Sequence, residues 1–236
     1  MPVFRIGRAL VFPDPGLAEP SGVLAVGGDL EPERLLLAYR EGIFPWYSAG
    51  QPILWWSPNP RFILRTSNLH VPRSLAKILR RGDYRVTMDQ AFPEVIARCA
   101  TQPRPGQPGT WITGDMRRAY ERLHQLGHAH SVEAWEGDTL VGGLYGVAVG
   151  RLYCGESMFA DRPDASKVAF VRLAQQLAAW GFPLVDCQVY TDHLARFGAE
   201  DMPRATFLAV IEPLARATGR VGRWSFDVDP DQPPAR

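Results

Sequence analysis

The sequence predicts an α+β protein, with a small N-terminal domain of irregular structure followed by a larger mixed domain. Three observations predict it. The first sixty residues are dense in Pro, Gly and aromatic side chains, which break helices and leave extended, rigid segments. Between residues 129 and 154, apolar runs separated by tight turns read as a β-meander. The remaining stretches alternate short strand-like runs with apolar residues at helical spacing. Boundaries follow at residues 1–59 and 60–228, with a Pro- and Asp-rich tail, 229–236, whose composition predicts disorder.

One helix is predicted in the N-terminal region, with Asp29 as N-cap, Glu31 and Pro32 in its first turn, Arg34 to Arg40 as its body and Gly42 as its stop. Beyond it, Gly42-Ile-Phe-Pro-Trp-Tyr47 and Pro52-Ile-Leu-Trp-Trp-Ser-Pro-Asn-Pro-Arg61 carry too much Pro for helix and place large rings. Phe62 to Arg65 reads as a strand and Ser74 to Arg81 as a helix ended by Gly82. A strand follows at Tyr84 to Met88, then a helix at Phe92 to Cys99 and a Pro/Gly/Gln loop at Thr101 to Gly109. Thr113 to Leu126 is an amphipathic helix with Met116, Ala119, Tyr120 and Leu123 on one side. The meander comprises Ala129 to Trp135, Leu140 to Val149 and a third strand reaching about Cys154. A long helix capped by Asp164 or Ser166 runs to Trp180, a strand covers Leu184 to Val189, and a last helix covers Phe207 to Ala217.

The chain has 236 residues, 46% of them hydrophobic, and a formal net charge of +1, within the range of an ordinary globular protein. No apolar run approaches the ~20 residues a membrane helix needs, and the first residues lack the pattern of a secretory signal. Three widely spaced cysteines, Cys99, Cys154 and Cys187, read as reduced thiols of a cytoplasmic protein, and no Cys-x-x-Cys pair suggests zinc. Charge is uneven along the chain. From Gly42 to Gly82 there is no carboxylate, while Arg61, Arg65, Arg73, Lys77, Arg80 and Arg81 fall in that stretch, just after Trp46, Trp55 and Trp56. Such a block suits a partner with phosphates and flat rings, or else is a solvated basic helix beside a Trp-rich core. Arg73, Lys77, Arg80 and Arg81 lie at helical spacing on one face.

Asp186 and Gln188 are separated by one residue on a strand, so alternation points both to one face and Cys187 to the other. A carboxylate in so apolar a strand is either satisfied structurally or serves as a base or amine-positioning group. Gly155-Glu-Ser-Met-Phe159 follows the meander; glycine there admits close backbone approach, and Glu156 among apolar neighbours needs a cationic partner or a raised pKa, unless the segment is a simple exposed turn. The glycines of Leu140-Val-Gly-Gly-Leu-Tyr-Gly146 read as a pocket floor or as helix packing. His128 and His130 share a strand face, but no carboxylate or Cys stands at ligand spacing beside them, so ordinary polar packing is the reading and no metal is assigned. There is no Gly-x-Ser-x-Gly elbow and no phosphate loop.

Taken together, Gly27-Gly-Asp-Leu30, Ala38-Tyr-Arg40, Gly42-Ile-Phe-Pro-Trp46, Pro52-Ile-Leu-Trp-Trp-Ser-Pro58, Thr110-Trp-Ile-Thr113, Gly127-His-Ala-His-Ser-Val-Glu133, Gly155-Glu-Ser-Met-Phe159, Ala165-Ser-Lys167, Asp186-Cys-Gln188 and His193-Leu194 resemble the bacterial leucyl/phenylalanyl-tRNA–protein transferases over most of the chain. The resemblance implies that the larger domain has an N-acetyltransferase-like fold, a mixed, mainly antiparallel sheet with flanking helices. It implies transfer of Leu, Phe or Met from aminoacyl-tRNA to the α-amine of proteins beginning with Arg or Lys, marking them for degradation, by a monomer with no cofactor. It further implies that Asp186 and Gln188 orient or deprotonate the amine, and that Glu156 helps bind the acceptor's cationic end. Leu144, Tyr153, Met158 and Phe170 would form the side-chain pocket; a bulge or a strand end near Gly155 is needed to bring Tyr153 and Met158 to one face. Trp46 and Trp111 would stack on the terminal adenosine with Tyr39 and Tyr120 nearby, and Arg73, Lys77, Arg80 and Arg81 would meet acceptor-stem phosphates.

The chemistry implied is ester aminolysis. The aminoacyl ester is already activated, and an α-amine titrates near ~7.7–8.0, so a modest base suffices. Two other classes compete: an acetyl-CoA-dependent acetyltransferase, disfavoured by the glycine-free connection after Ser157, and a non-catalytic RNA-binding protein, which leaves Asp186, Gln188 and Glu156 without a task.

Overall fold

A computed structural model describes residues 3–102 and 110–227. Most of the predicted loop at Thr101 to Gly109 and the tail 229–236 lie outside the described residues. In chain order the elements are β1 (Phe4–Ile6), β2 (Val23–Gly27), α1 (Pro32–Arg40), β3 (Phe44–Pro45), β4 (Leu54–Trp56), β5 (Arg61–Arg65), α2 (Arg73–Arg81), β6 (Arg85–Met88), α3 (Phe92–Thr101), α4 (Gly114–Gln125), β7 (Ala129–Glu136), β8 (Thr139–Val149), β9 (Leu152–Ala160), α5 (Ala165–Ala179), β10 (Leu184–Gln188), α6 (Asp192–Ala195), β11 (Glu200–Met202) and α7 (Arg204–Arg216).

The N-terminal region is more regular than its composition suggests. Its extended segments pair into a four-stranded sheet of order β1-β2-β4-β3. The strands are only two to five residues long because Pro and Gly interrupt them. Helix α1 forms as predicted, but Glu31, not Asp29, occupies the N-cap position, without a side-chain capping bond. Asp29 instead accepts from the Glu31 N–H and pairs with Arg34 through both carboxylate oxygens. Arg34 is buried and also donates to the carbonyls of Gly7, Arg8 and Ala9, tying the leading segment to α1.

The larger sheet has the order β11-β5-β10-β9-β8-β7-β6. Every neighbouring pair is antiparallel except β9 and β10, which run parallel with α5 as the crossover that such a pair requires. The alternation of side chains divides the core between the two faces. Val141, Leu144, Tyr153 and Val185 pack under α5 with Leu75 of α2, while Leu140, Leu152 and Leu184 pack with α3, α4 and α7. That second cluster also takes in Leu24, Leu35, Tyr39 and Trp55, so the small sheet and the large one share a core.

Two glycines of β8 separate the readings left open by the sequence. A Cβ on Gly142 would lie 2.5 Å from the Ala165 Cβ, so this glycine admits α5. A Cβ on Gly146 would lie 2.6 Å from the Tyr153 ring tip and 2.3 Å from the Cys154 carbonyl, so this one admits a pocket side chain.

Candidate active site

Strands β9 and β10 pair only from Leu152–Leu184 to Cys154–Asp186. Beyond that point β9 stays with β8 as far as Ala160, and β10 ends at Gln188. A cavity of about 520 Å³ opens where they part. Leu144, Tyr153, Met158 and Phe170 all line it, as do Trp46, Trp111, Glu156 and Gln188. Of the bulge or strand end that the sequence required near Gly155, the structure has the bulge: Tyr145 faces Ser157 and Gly146 faces Gly155, leaving Glu156 as the extra residue. Strand β9 therefore continues through the segment for which a turn was an open reading, and the extra residue brings Tyr153 and Met158 to one face.

Asp186 and Gln188 do not share a face. The register with β5 shifts between them, and Gln188 has φ +65°, a left-handed conformation that turns its side chain out of strict alternation. Asp186 points to the face opposite α5. It is 1% exposed and accepts both Arg61 Nε (2.7 Å) and Arg61 Nη2 (2.6 Å), while its Oδ1 also accepts the Gln188 backbone N–H at 2.9 Å. Asp186 does not line the cavity. Arg61 is thereby removed from the basic surface to which its position in the sequence assigned it. It is buried between the rings of Phe44 and Phe207 and donates to the Gly42 carbonyl. Arg65 pairs with Glu200. No local signal marks Arg61 as the partner of a carboxylate 125 residues away.

Gln188 Nε2 donates to Glu156 Oε1 at 2.8 Å. The same oxygen accepts from the Tyr39 hydroxyl at 2.7 Å, and Oε2 accepts from the Tyr120 hydroxyl at 3.1 Å. The two tyrosine hydroxyls also touch each other. Burial raises the Glu156 pKa to about 7, against the three donors that hold its charged form. Glu156 is thus met by neutral donors rather than by a cation. Tyr39 and Tyr120 are covered over their rings, at 1% and 0% exposed. Their rings offer no exposed stacking face, and both hydroxyls reach Glu156. Trp46 and Trp111 are half-buried at the cavity and keep ring surface available.

Arg73, Lys77, Arg80 and Arg81 are all exposed on α2. Arg81 is paired with Asp83, while the other three form no ion pair among the described residues. His130 Nδ1 lies 2.9 Å from an Asp89 carboxylate oxygen, and its ring stacks on Trp224. Among the described residues no three His, Cys, Asp or Glu side chains gather as a metal site. The three cysteines are buried and none is in a disulfide. Among the described residues no helix is long and apolar enough to cross a membrane.

Residues 63–212 match the profile of the leucyl/phenylalanyl-tRNA protein transferase family, and residues 28–59 match that of its N-terminal domain. A leucyl/phenylalanyl-tRNA–protein transferase of Anaeromyxobacter sp. (strain K) is 64% identical over 96% of this chain and 97% of its own length. Relatives of the same name from Nitratidesulfovibrio vulgaris (strain DP4) and Myxococcus xanthus (strain DK1622) are 59% and 56% identical, over 94% and 95% of this chain and 94% and 97% of their own lengths. Among solved structures, L-PGS from Bacillus licheniformis overlaps 73% of this chain and 57% of its own at 12% identity, with a TM-score of 0.40.

Proposed function

We propose a mechanism from one premise: the chain belongs to the leucyl/phenylalanyl-tRNA–protein transferase family and is an aminoacyltransferase. The reaction is transfer of Leu, Phe or Met from aminoacyl-tRNA to the α-amine of proteins beginning with Arg or Lys, which marks them for degradation in the cytoplasm. The enzyme acts as a monomer. Its residues 60–228 form an N-acetyltransferase-like catalytic domain, and residues 1–59 a small domain that supplies Tyr39 and Trp46. Support for that fold comes from the parting of β9 and β10 around the cavity.

The observation that carries the reading is the fixed orientation of Gln188 at the cavity. Its Nε2 is committed to Glu156. Its carbonyl Oε1 is therefore the end left to accept from an incoming amine. Asp186 is a positioning residue: anchored by Arg61, it holds the Gln188 N–H and with it the left-handed turn. A group whose two oxygens are engaged by a buried guanidinium is poorly placed to take a proton. Leu144, Tyr153, Met158 and Phe170 receive the amino-acid side chain; unbranched Cβ groups enter past the mouth, and flexible Met158 adapts to unlike shapes. Trp46 and Trp111 stack on the terminal adenosine. Arg73, Lys77, Arg80 and Arg81 meet acceptor-stem phosphates, with Arg81 shared with Asp83.

Holding the amine beside the ester supplies much of the acceleration, since no activation step is required. The test is transfer of radiolabelled leucine from Leu-tRNA to a peptide beginning with Arg, with an Ala-starting peptide as control. The wild type should label the Arg peptide alone, and Gln188→Ala should lose most of that label while still binding tRNA. Equal labelling of both peptides would remove the acceptor assignment, and undiminished transfer by Gln188→Ala would remove the role given to Gln188.

A further inference from the structure

Tyr39, Tyr120 and Glu156 form a closed triangle of contacts. Tyr39 comes from α1 and Tyr120 from α4, so two distant segments converge on the extra residue of the β9 bulge. The three contacts are Tyr39 Oη to Glu156 Oε1, Tyr120 Oη to Glu156 Oε2, and one hydroxyl to the other. Two hydroxyls carry two protons. With Glu156 ionised, both protons are used on its carboxylate, and the hydroxyl–hydroxyl contact has none. A proton on Glu156 Oε2 closes the ring: Glu156 donates to Tyr120, Tyr120 to Tyr39, and Tyr39 to Glu156 Oε1. The arrangement is completed by one added proton.

That proton is reachable from the substrate side. Glu156 lines the cavity next to Gln188. A carboxylate has about four lone-pair positions; Tyr39 and Gln188 Nε2 use those on Oε1, and Tyr120 uses one on Oε2. One position remains on Oε2. The titratable and charged groups around Glu156 are Tyr39, Tyr120, Tyr153, Cys154 and Asp186, the last neutralised by Arg61. The pKa of the tyrosines is raised by burial, so they remain protonated donors throughout.

We propose that Glu156 is the proton acceptor of the transfer reaction and that Tyr39 and Tyr120 are its positioning residues, forming a ring that takes up one proton. This inference rests on the transferase reading above. The acceptor's neutral α-amine forms the C–N bond at the ester carbonyl, and Glu156 takes one of its two protons as the nitrogen becomes cationic. On collapse the C–O bond to the ribose breaks, and Glu156 returns that proton to the leaving ribose oxygen. The products are the extended peptide and a tRNA with a free ribose hydroxyl. Gln188 Oε1 holds the amine during the attack but takes no proton, since an amide is too weak a base.

The test compares wild type, Glu156→Gln, Tyr39→Phe and Tyr120→Phe in leucine transfer to an Arg-starting peptide at saturating Leu-tRNA. Rates are read across the pH range in which a group of pKa about 7 titrates. The acceptor amine contributes an acid limb common to all variants, so the variant-to-wild-type ratio at each pH isolates Glu156. Glu156→Gln should lose about 10²–10⁴-fold at high pH, and the deficit should shrink as pH falls and the wild type becomes protonated. Each Tyr→Phe variant loses a donor to the charged carboxylate, so its limb should move to higher pH while activity at high pH largely persists. A Glu156→Gln ratio near one at every pH would overturn the proposal. So would flat ratios for both Tyr→Phe variants, even with Glu156→Gln inactive, because Glu156 would then be only structural. A wild type with no transfer at any pH would instead sink the transferase reading.

Discussion

Arg61 and Asp186, 125 residues apart, meet as a two-pronged ion pair in which each side chain is 1% exposed. One end of that pair reaches the Gly42 carbonyl in the small sheet's connection, and the other reaches the Gln188 N–H at the cavity. The pair therefore joins the N-terminal region to the turn that aims Gln188. Breaking a buried pair leaves an uncompensated charge, which costs about 3–5 kcal/mol, whereas replacing both partners by apolar residues is often neutral. Arg61→Met should lower stability by about that amount in denaturant unfolding. Arg61→Met with Asp186→Leu should recover most of it while transfer stays depressed, because the Gln188 N–H has lost its anchor. Full activity in the double variant would show that the anchor is dispensable.

The α2 cations give a prediction that separates affinity from chemistry. Arg73, Lys77 and Arg80 are exposed and unpaired among the described residues, whereas Arg81 is held by Asp83. Replacing each of the first three by Ala should weaken tRNA binding and lower the log–log salt slope by about one per residue. Arg81→Ala should change the slope less. Filter binding at several salt concentrations measures this, and equal slopes for all four would place the phosphates elsewhere.

Which parts were legible depended on the range of the interaction. Helices α2 to α5 and the meander follow from local spacing and turn residues, and a break in alternation near Gly155 follows from requiring Tyr153 and Met158 on one face; the structure makes it a bulge at Glu156. The short strands β1 to β4 and β11 escaped, because two to five residues between prolines carry no period. The sequence offers Tyr39 only as a ring near the terminal adenosine; its hydroxyl contact with Glu156 appears only when α1 and α4 are brought together. The assumption of strict alternation failed at Gln188, where a positive φ replaces the strand geometry.

Gly146 tests the shape of the cavity. An added methyl would meet the Tyr153 ring tip at 2.6 Å and the Cys154 carbonyl at 2.3 Å, and the carbonyl belongs to the backbone and cannot swing aside. Overpacking of this kind costs about 1–3 kcal/mol. Gly146→Ala should therefore lower stability by that amount and alter the relative rates with Leu-tRNA and Phe-tRNA as Tyr153 is displaced. Unchanged stability and an unchanged Leu-to-Phe ratio would show that Tyr153 does not set the pocket wall.

The last prediction concerns the segment after α7, which closes over the edge of the meander through Trp224. The Asp89 carboxylate accepts the Ser131 N–H at 2.9 Å and the Trp224 N–H at 2.7 Å, and contacts His130 Nδ1 at 2.9 Å. The Trp224 ring stacks on His130 at 3.6 Å and meets Trp180 and Phe182 edge-on. Trp224→Ala removes a buried aromatic ring and should destabilise the fold by about 3–5 kcal/mol. The pH dependence of that loss is informative. Burial lowers the His130 pKa below its ordinary 6.5, only partly opposed by Asp89. A group that is harder to protonate when folded contributes stability above its unfolded pKa, and this is lost as pH falls through 6.5 toward the folded value. Uncovering His130 by Trp224→Ala should return its pKa toward the ordinary value and shrink the acid-side loss. The stability gap between variant and wild type should therefore be widest above that pH and narrow below it. Thermal melts across the same range measure the gap, and a gap independent of pH would mean that Trp224 does not control the protonation of His130.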